Sequence, residues 1–402
     1  MKTTITDYPF ESDLIRDCAA ESILLLQRNL TPLGILAATP SEETESRRYT
    51  RIFGRDAAIC ALGMVVTEDR QLHEGAKNSL VSLAEHQAEN GQIPKYIDPE
   101  GKEADFWYVG CIDATLWWLI AVHIFNKFLP EVGLEAQLKP NIKQALTWLH
   151  CQEHQRLYLL QQNEASDWAD IMPRSGFVLY TNALWYIVKR LYFLAHCQDT
   201  KFHFNHLFYP FSQKMPDYHR LRLLQHYARR NTGGRGSDRS NLYLSFVNFS
   251  FCGEEGDVFG NLLAILFNLA SDSPAQRILH ELTQCDVTSP YPVRAVCRPI
   301  ERESILWRRY MTRHNQNIDY QYHNGGVWPF IGSFWVMALA YVGEYEPANV
   351  ALTKLAEINR VGNWGFYEWF HGLTGEPSGM RGQSWNAATF LLALHCLNEK
   401  VF

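Results

Sequence analysis

Two segments place carboxyl groups in aromatic surroundings, and these residues are the best suited to chemistry in this sequence. The segment EASDWADIMPRSG holds Asp167 and Asp170 three positions apart around Trp168. The segment WGFYEWF places Glu368 among five aromatic residues. An aromatic neighbour excludes water from a carboxyl, and desolvation raises the pKa of a carboxyl, as a general acid requires. A glutamate with aromatic walls can also act as a general base toward a held water.

A pair of carboxyl groups of this kind is what glycoside hydrolysis requires. One carboxylic acid protonates the leaving oxygen, while the other carboxylate activates water on the opposite face of the sugar ring. Carboxyl groups about 6.5–9.5 Å apart give inversion, and groups about 5–5.5 Å apart give retention. The residues alone leave Asp167 and Asp170 as rival acids, with Glu368 as the base. A solvated loop is the alternative for the first segment, and a surface residue for Glu368.

Four further residues are candidates for holding the hydroxyl groups of a sugar. Arg55 and Asp56 follow Phe-Gly at the point where an apolar helix begins, and charge-assisted hydrogen bonds suit hydroxyl recognition. Trp107 comes after the turn sequence NGQIP, and Asp113 lies one turn into the next apolar helix. The alternative for each aspartate is that it caps its helix, a common task for this residue.

A histidine segment, HNGGVWP, supplies His323 and Trp328. Its two glycines allow the backbone to approach closely before a helix. An isolated histidine can equally be a structural residue, and that alternative stays open.

Composition and motifs exclude several classes of function. The chain has 402 residues, 47% of them hydrophobic, and a net charge of −6. Nucleic-acid binding by broad phosphate neutralisation needs an excess of basic residues, so we expect no nucleic-acid partner. P-loop, GxGxxG, HExxH and GxSxG motifs are absent from the sequence. We therefore predict neither a metal nor an organic cofactor. The carboxyl groups beside tryptophans instead indicate a small carbohydrate as the partner.

The sequence favours a cytoplasmic location. The N-terminal residues lack an apolar core, and the longest apolar stretches have about 13 residues, whereas a membrane span needs about 20. Nine cysteines are scattered without a CxxC pair, which argues against a disulfide framework. We expect no membrane association, and the sequence leaves open whether the chain forms a homo-oligomer.

The apolar residues recur mostly at helical spacing, which predicts an all-α protein. Predicted helices cover about 14–23, 54–67, 72–88, 110–128, 139–152, 178–197, 215–229, 258–270, 274–284, 326–343, 347–359 and 382–397. The clearest alternating segment, 241–250, is a candidate hairpin strand. Twelve helices without a long linker predict a single domain over 1–402. The predicted architecture is an (α/α)6 toroid, a barrel of six helical hairpins whose long loops form the active site at one end.

Several of these segments resemble known glycoside hydrolases with the (α/α)6 toroid. PRSGFVLYTNALWY at 173–186 and FGRD at 53–56 are similar to the amylo-α-1,6-glucosidase part of glycogen-debranching enzymes. DVFGNLLA at 257–264, YHNGGVWP at 322–329 and IDATLWW at 112–118 resemble the neutral/alkaline invertase family, as does the region of Glu368. One departure is Tyr180, which stands where the debranching enzymes carry Glu.

The resemblance implies an inverting, exo-acting hydrolase of a small α-linked glucoside. The family's acid matches Asp170 in Trp-Ala-Asp, with Asp167 as the rival, and its base matches Glu368. The substrate-binding positions that the resemblance implies, or that flank these motifs, are Arg55, Asp56, Trp107, Asp113, Trp168, Arg174, His323, Trp328 and Gln383. Sucrose, glucosylglycerate and a short α-1,6 oligosaccharide are all compatible substrates. The alternatives are a sugar epimerase on the same toroid, with histidine as acid and base, and a non-catalytic sugar-binding relative.

Overall fold

The computed structural model describes residues 12–107, 110–209 and 241–402, and fourteen α-helices lie within them. They are α1 Asp13–Arg28, α2 Glu42–Ser46, α3 Gly54–Val65, α4 Arg70–Glu85, α5 Ile112–Phe128, α6 Leu134–Gln137, α7 Lys139–Gln152, α8 Leu179–Leu191, α9 Cys197–Leu207, α10 Val258–Leu266, α11 Asp272–Gln284, α12 Pro329–Tyr341, α13 Tyr345–Trp364 and α14 Ser384–Cys396. The chain is therefore mainly helical, as the sequence predicts.

Six helices form a central set that is buried on almost every side. In α5, for example, Trp117 and Trp118 are both fully buried although they are neighbours and point in different directions. A helix that is apolar all round belongs in a protein core. The contacts among these helices run in a closed cycle, α3 to α5, α8, α10, α12, α14 and back to α3.

A second set of helices packs on the outside of this cycle. Each central helix has at least one outer partner: α4, α7, α9, α11, α13 and α1 pack on α3, α5, α8, α10, α12 and α14 respectively. These outer helices are amphipathic, which is why only one face is buried. In α4 the buried residues include Leu72, Ala76, Leu80 and Leu83, which recur at the three- and four-residue spacing of one helix face.

Short β-strands tie the loops together at the ends of the helices. The nine strands in the described residues have two residues each: β1 Leu30–Thr31, β2 Gly34–Ile35, β3 Ile52–Phe53, β4 Tyr96–Ile97, β5 Ala104–Asp105, β6 Phe177–Val178, β7 Phe246–Val247, β8 Trp369–Phe370 and β9 Pro377–Ser378. All pairings are antiparallel, in the orders β1-β2, β3-β4-β5, β6-β7 and β8-β9. The predicted strand at 241–250 is thus confined to β7, whose partner is β6.

The predicted helix over 178–197 is wrong, because the structure divides this segment between α8 and α9. Phe193 and His196 adopt positive φ angles of 50° and 60°, which end one helix and begin the next. The apolar pattern of the sequence continues across this turn, which is why one helix is predicted. Phe193 is nevertheless 93% exposed, so its apolar side chain does not belong to a buried helix face. The predicted helix over 215–229 lies outside the described residues.

No single helix in the described part of the chain is long and apolar enough to cross a membrane, although the bent pair Ile112–Phe128 and Pro130–Gln137 reaches the required length and composition together.

Candidate active site

Glu368 lies immediately before β8, in a loop that precedes the central helix α14. Its side chain is only 4% exposed. The Tyr49 hydroxyl donates a hydrogen bond to Oε1 at 2.7 Å, and the backbone N–H of Met380 donates to Oε2 at 3.0 Å. Burial raises the pKa of Glu368 to about 7, and both hydrogen bonds act in the opposite direction because they favour the ionised form. This carboxyl therefore changes its charge near neutral pH.

Asp170 is the more open of the two candidate acids. Its side chain is 33% exposed, and the Nζ of Lys95 lies 3.6 Å from its Oδ2. The Nδ1 of His323 lies 3.9 Å from its Oδ1. The negative charge of Asp170 contributes to the raised pKa of Glu368. Two carboxyls about 200 residues apart in sequence are therefore within electrostatic reach of each other.

Asp167, the rival acid, has both carboxylate oxygens engaged inside the protein. Oδ1 accepts hydrogen bonds from Nη2 of Arg174 at 2.7 Å and from the backbone N–H of Ala169 at 2.9 Å. Oδ2 accepts from Nε2 of Gln162 at 2.9 Å. The residue is 4% exposed. These contacts fix the turn that carries Trp168 and Asp170.

Arg174 is buried between two carboxylates. It is 3% exposed, and besides Asp167 its Nη1 lies 2.9 Å from Oδ2 of Asp257, the residue before α10. Its guanidinium also lies over the Trp168 ring at 5.8 Å. The charge of Arg174 is thus used to join the 167–170 turn to the start of α10. The sequence predicts Arg174 as a substrate-binding residue, and the structure shows its guanidinium between two carboxylates of the protein.

Arg55 connects the two remaining acidic candidates. Its Nε lies 3.0 Å from Oδ1 of Asp56, and its Nη1 lies 3.4 Å from Oδ2 of Asp113. The Tyr180 hydroxyl also donates to Oδ2 of Asp113, at 3.0 Å. Neither aspartate is an N-cap, because Phe53 and Cys111 hold those positions in α3 and α5.

Burial raises the pKa of both Asp56 and Asp113, and the charge of Arg55 opposes that effect at each. The helix-cap alternative for these two residues is wrong, because other residues hold the N-cap positions of both helices. Their carboxyl groups are instead held, largely away from water, by a shared guanidinium.

Aromatic rings form one wall of this region. The Trp168 ring meets the rings of His323 and Trp328 edge-on, at 4.9 Å and 5.5 Å between centroids. His323 in turn stacks on Trp328 at 5.2 Å and an angle of 14°. Burial, followed by the charges of Arg174 and Arg55, holds the pKa of His323 well below its usual value. His323 is therefore a neutral ring near pH 7.

Trp107 is partly exposed, whereas Gln383 is almost completely buried. The Nζ of Lys95 lies 3.7 Å from the centroid of the partly exposed Trp107 ring, whose backbone φ is 57°. Gln383 is 1% exposed, and its Nε2 has no hydrogen-bond partner among the described residues. The same holds for Nε1 of Trp168 and Nε1 of Trp385. Buried donors normally have acceptors, so these three are suited to the hydroxyl oxygens of a ligand.

Several residues at this site are not among the predicted site residues, and three of them contact predicted ones through their side chains in instructive ways. Lys95 follows directly on the NGQIP turn, so its proximity to a predicted motif could have indicated it. Tyr180 stands out in the sequence only as a departure from a family pattern, yet it binds Asp113. Tyr49 has no sequence signal, because its partner Glu368 is 319 positions away.

Comparison with known proteins identifies a family. A family model described as amylo-alpha-1,6-glucosidase matches residues 46–391. The probable alkaline/neutral invertase A, chloroplastic, of Arabidopsis thaliana is 21% identical over 468 residues, covering 97% of this chain and 72% of that protein. The probable alkaline/neutral invertase D of the same plant is 22% identical, covering 94% of this chain and 82% of that protein.

A solved structure has a similar fold. The GH63 mannosylglycerate hydrolase from Thermus thermophilus, in complex with glucose, superimposes with a TM-score of 0.66. The two sequences are 15% identical, and the match covers 93% of this chain and 99% of the other.

Proposed function

Because the chain belongs to the amylo-alpha-1,6-glucosidase family and is a glycoside hydrolase, we propose that it cleaves a small α-linked glucoside from one end, with inversion at the anomeric carbon. The observation that carries this proposal is the buried carboxyl of Glu368, which accepts hydrogen bonds from Tyr49 and Met380 and whose raised pKa is supported in part by the charge of Asp170. We further propose that the closed cycle of central helices is the inner ring of an (α/α)6 toroid, and that residues 1–402 form one catalytic domain. The proposed location is the cytoplasm.

In the proposed reaction, Glu368 is the base and Asp170 is the acid. Glu368 takes a proton from a water molecule, whose oxygen bonds to the anomeric carbon. The bond from that carbon to the glycosidic oxygen breaks, and Asp170 gives its proton to the departing oxygen. Asp170 is preferred over Asp167 because its side chain is one-third exposed, whereas both oxygens of Asp167 are occupied by protein donors.

The raised pKa of Glu368 suits a base that works near neutral pH. General-base catalysis is most efficient when the pKa of the base lies near the working pH. A pKa of about 7 leaves Glu368 ionised in neutral to alkaline solution and protonated in acid. We therefore expect the activity to fall on the acid side of about pH 7, which accords with similarity to proteins named alkaline/neutral invertases.

The remaining predicted residues have different proposed roles. Sugar hydroxyls would be bound by Arg55, Asp56 and Asp113. The aromatic side of the pocket would be formed by Trp168, Trp328 and the partly exposed Trp107. The other residues proposed to line it are His323 and Gln383, and Arg174 is proposed to act by holding the 167–170 turn. The proposed chemistry uses these side chains alone, without a metal or cofactor.

The hydrolase proposal is favoured over the epimerase alternative. An epimerase of that kind needs a histidine that can be protonated, and the pKa of His323 is held well below its usual value. The family assignment points in the same direction.

Incubation of the purified protein with sucrose, glucosylglycerate, isomaltose, panose and trehalose would test the proposal, with proton NMR to follow the first sugar released. We expect hydrolysis of at least one of these α-glucosides, with β-glucose appearing first. Release of α-glucose from sucrose or glucosylglycerate, whose leaving groups contain no glucose, would refute the single-step inverting mechanism. No hydrolysis of any of them, with sugar binding retained, would favour a non-catalytic relative.

A further inference from the structure

A cavity lies between residues 250–255 and 298–306, with a volume of about 550 Å³. Its walls combine polar and apolar side chains, among them Glu254, Glu301, Arg298, Ser304, Phe251 and Ile305. Ligand pockets in proteins have volumes of roughly 300–1,000 Å³, so the space is large enough for a small molecule. None of the residues predicted for the active site lines it.

The cavity lies among the same set of loops as the candidate active site. Its two wall segments belong to the loops that precede the central helices α10 and α12. Arg308 links them to the loop that carries Asp170. Its guanidinium lies over the ring of Phe251 at 5.5 Å, and its Nε lies 3.1 Å from Oε1 of Glu164. A ligand in this cavity would therefore be bound close to the loop of the proposed acid.

The lining has the mixture of groups that a saccharide requires. Carboxylates accept hydrogen bonds from hydroxyl groups, a guanidinium donates to ring and hydroxyl oxygens, and apolar surfaces contact the C–H faces of a sugar ring. Ile305 supplies such a surface at the rim, where it is 75% exposed. Phe251 supplies another in the wall.

The acidic residues do not indicate a cation site instead. Among the described residues, no three His, Cys, Asp or Glu side chains converge closely enough to hold a metal ion. Glu254 and Glu301 are also accompanied by Arg298, whose charge disfavours a bound cation. Carboxylates that are spread around a cavity beside a guanidinium are better suited to a neutral polyhydroxylated ligand.

One buried carboxyl connects this cavity to the active-site loop. Glu255, which also lines the cavity, is 5% exposed. Burial raises its pKa to about 7, although the charge of Arg174 and the nearby Ser245 hydroxyl oppose that rise. Arg174 also binds Asp167, so the charge that acts on Glu255 in the cavity wall belongs to a residue that contacts the proposed catalytic turn.

We infer that this cavity is a second saccharide-binding site, separate from the pocket proposed for hydrolysis, and that its ligand is a neutral oligosaccharide. It shares with the proposed function only the chemical class of the ligand. Its side chains would bind the sugar without reacting with it, and a protein with both sites would bind two molecules of oligosaccharide.

Titration calorimetry with panose would test this inference in a Glu368→Gln protein, which should not consume the sugar. We expect two binding events in this parent protein. Adding Glu254→Gln and Ile305→Ser should weaken one of them at least tenfold and leave the other unchanged. The matched control is Glu303→Gln, an exposed residue of the same segment that does not line the cavity, and it should keep both events.

The inference would be overturned if the parent protein showed no binding event that the paired substitution weakens. A single event that the pair weakens would support the cavity site and would contradict panose binding at the site proposed for hydrolysis. Because Glu254 and Ile305 are exposed, we expect the paired variant to fold, with an unchanged midpoint of thermal unfolding as the check. In an otherwise unaltered protein the same pair should leave kcat/KM on the smallest hydrolysed glucoside within twofold. Absence of hydrolysis would refute the proposed function, but the panose result would stand independently.

Discussion

The Tyr49 hydroxyl should set the pH at which Glu368 can act as a base, and Tyr49→Phe isolates that contribution. The hydroxyl donates to Oε1 of the buried carboxylate at 2.7 Å. A hydrogen bond to a charged group is worth about 1.5–3 kcal/mol, and one pKa unit corresponds to about 1.4 kcal/mol. The bond favours the ionised form, so its loss should raise the pKa of Glu368 by about 1–2 units from about 7.

The assay is kcat/KM against pH on a hydrolysed glucoside. The acid limb of the profile should move upward by about 1–2 units, which predicts a loss of roughly 5- to 50-fold at pH 7. Activity should approach that of the unaltered protein at high pH, where Glu368 is ionised in both. Tyr96→Phe is the matched control, because the Tyr96 hydroxyl accepts from Arg48 at 3.4 Å instead. A uniform loss at every pH, with the acid limb in place, would refute the reasoning.

The other predictions concern the carboxyl groups themselves. Glu368→Gln should lower kcat by about 10²–10⁴ above pH 7, where Glu368 is ionised in the unaltered protein, as measured in steady-state assays. At pH 8 the same variant should be more stable than the unaltered protein. The pKa of Glu368 in the folded protein exceeds its ordinary value of 4.5. The free energy of unfolding of the unaltered protein therefore falls as the pH rises from about 4.5 to 7. Removing this effect should raise the free energy of unfolding by about 3 kcal/mol at pH 8, and by almost nothing near pH 4.5, as measured in urea titrations. Asp170→Asn should abolish activity and change the free energy of unfolding by no more than about 1 kcal/mol. Asp167→Asn should lower the free energy of unfolding by about 3–5 kcal/mol, because it breaks a buried ion pair with Arg174. Equal stability of the two asparagine variants would contradict the different roles assigned to these aspartates.

The central helices could be predicted from sequence because their composition leaves few alternatives. A stretch such as α5, which presents apolar residues on every face, must lie inside the protein. Prediction from the apolar pattern fails where an apolar residue is not buried. At the exposed Phe193, the structure has two helices where the sequence predicts one. The order of contacts among the central helices could not be read from any single helix, since it depends on how pairs of helices pack.

The choice between Asp167 and Asp170 shows why a motif identifies a segment more easily than a residue. Both lie beside Trp168, so the argument from desolvation applies equally to both. What separates them is the placement of Arg174, Gln162 and the backbone of Ala169, all of which donate to Asp167. Those contacts depend on the turn geometry of this loop, which side-chain type and spacing do not determine.

The candidate site as a whole is assembled from the loops that precede all six central helices. Tyr49 comes before α3, Lys95 before α5, Asp170 before α8, Asp257 before α10, His323 before α12 and Glu368 before α14. No local segment therefore contains the chemistry, and the electrostatic environment of each group is supplied by residues distant in sequence. The pKa of Glu368, for example, reflects its burial, a hydroxyl from the first of these loops and a carboxylate from the third. Sequence patterns can identify such groups one at a time, but their acid–base properties arise only when the central helices close into a cycle.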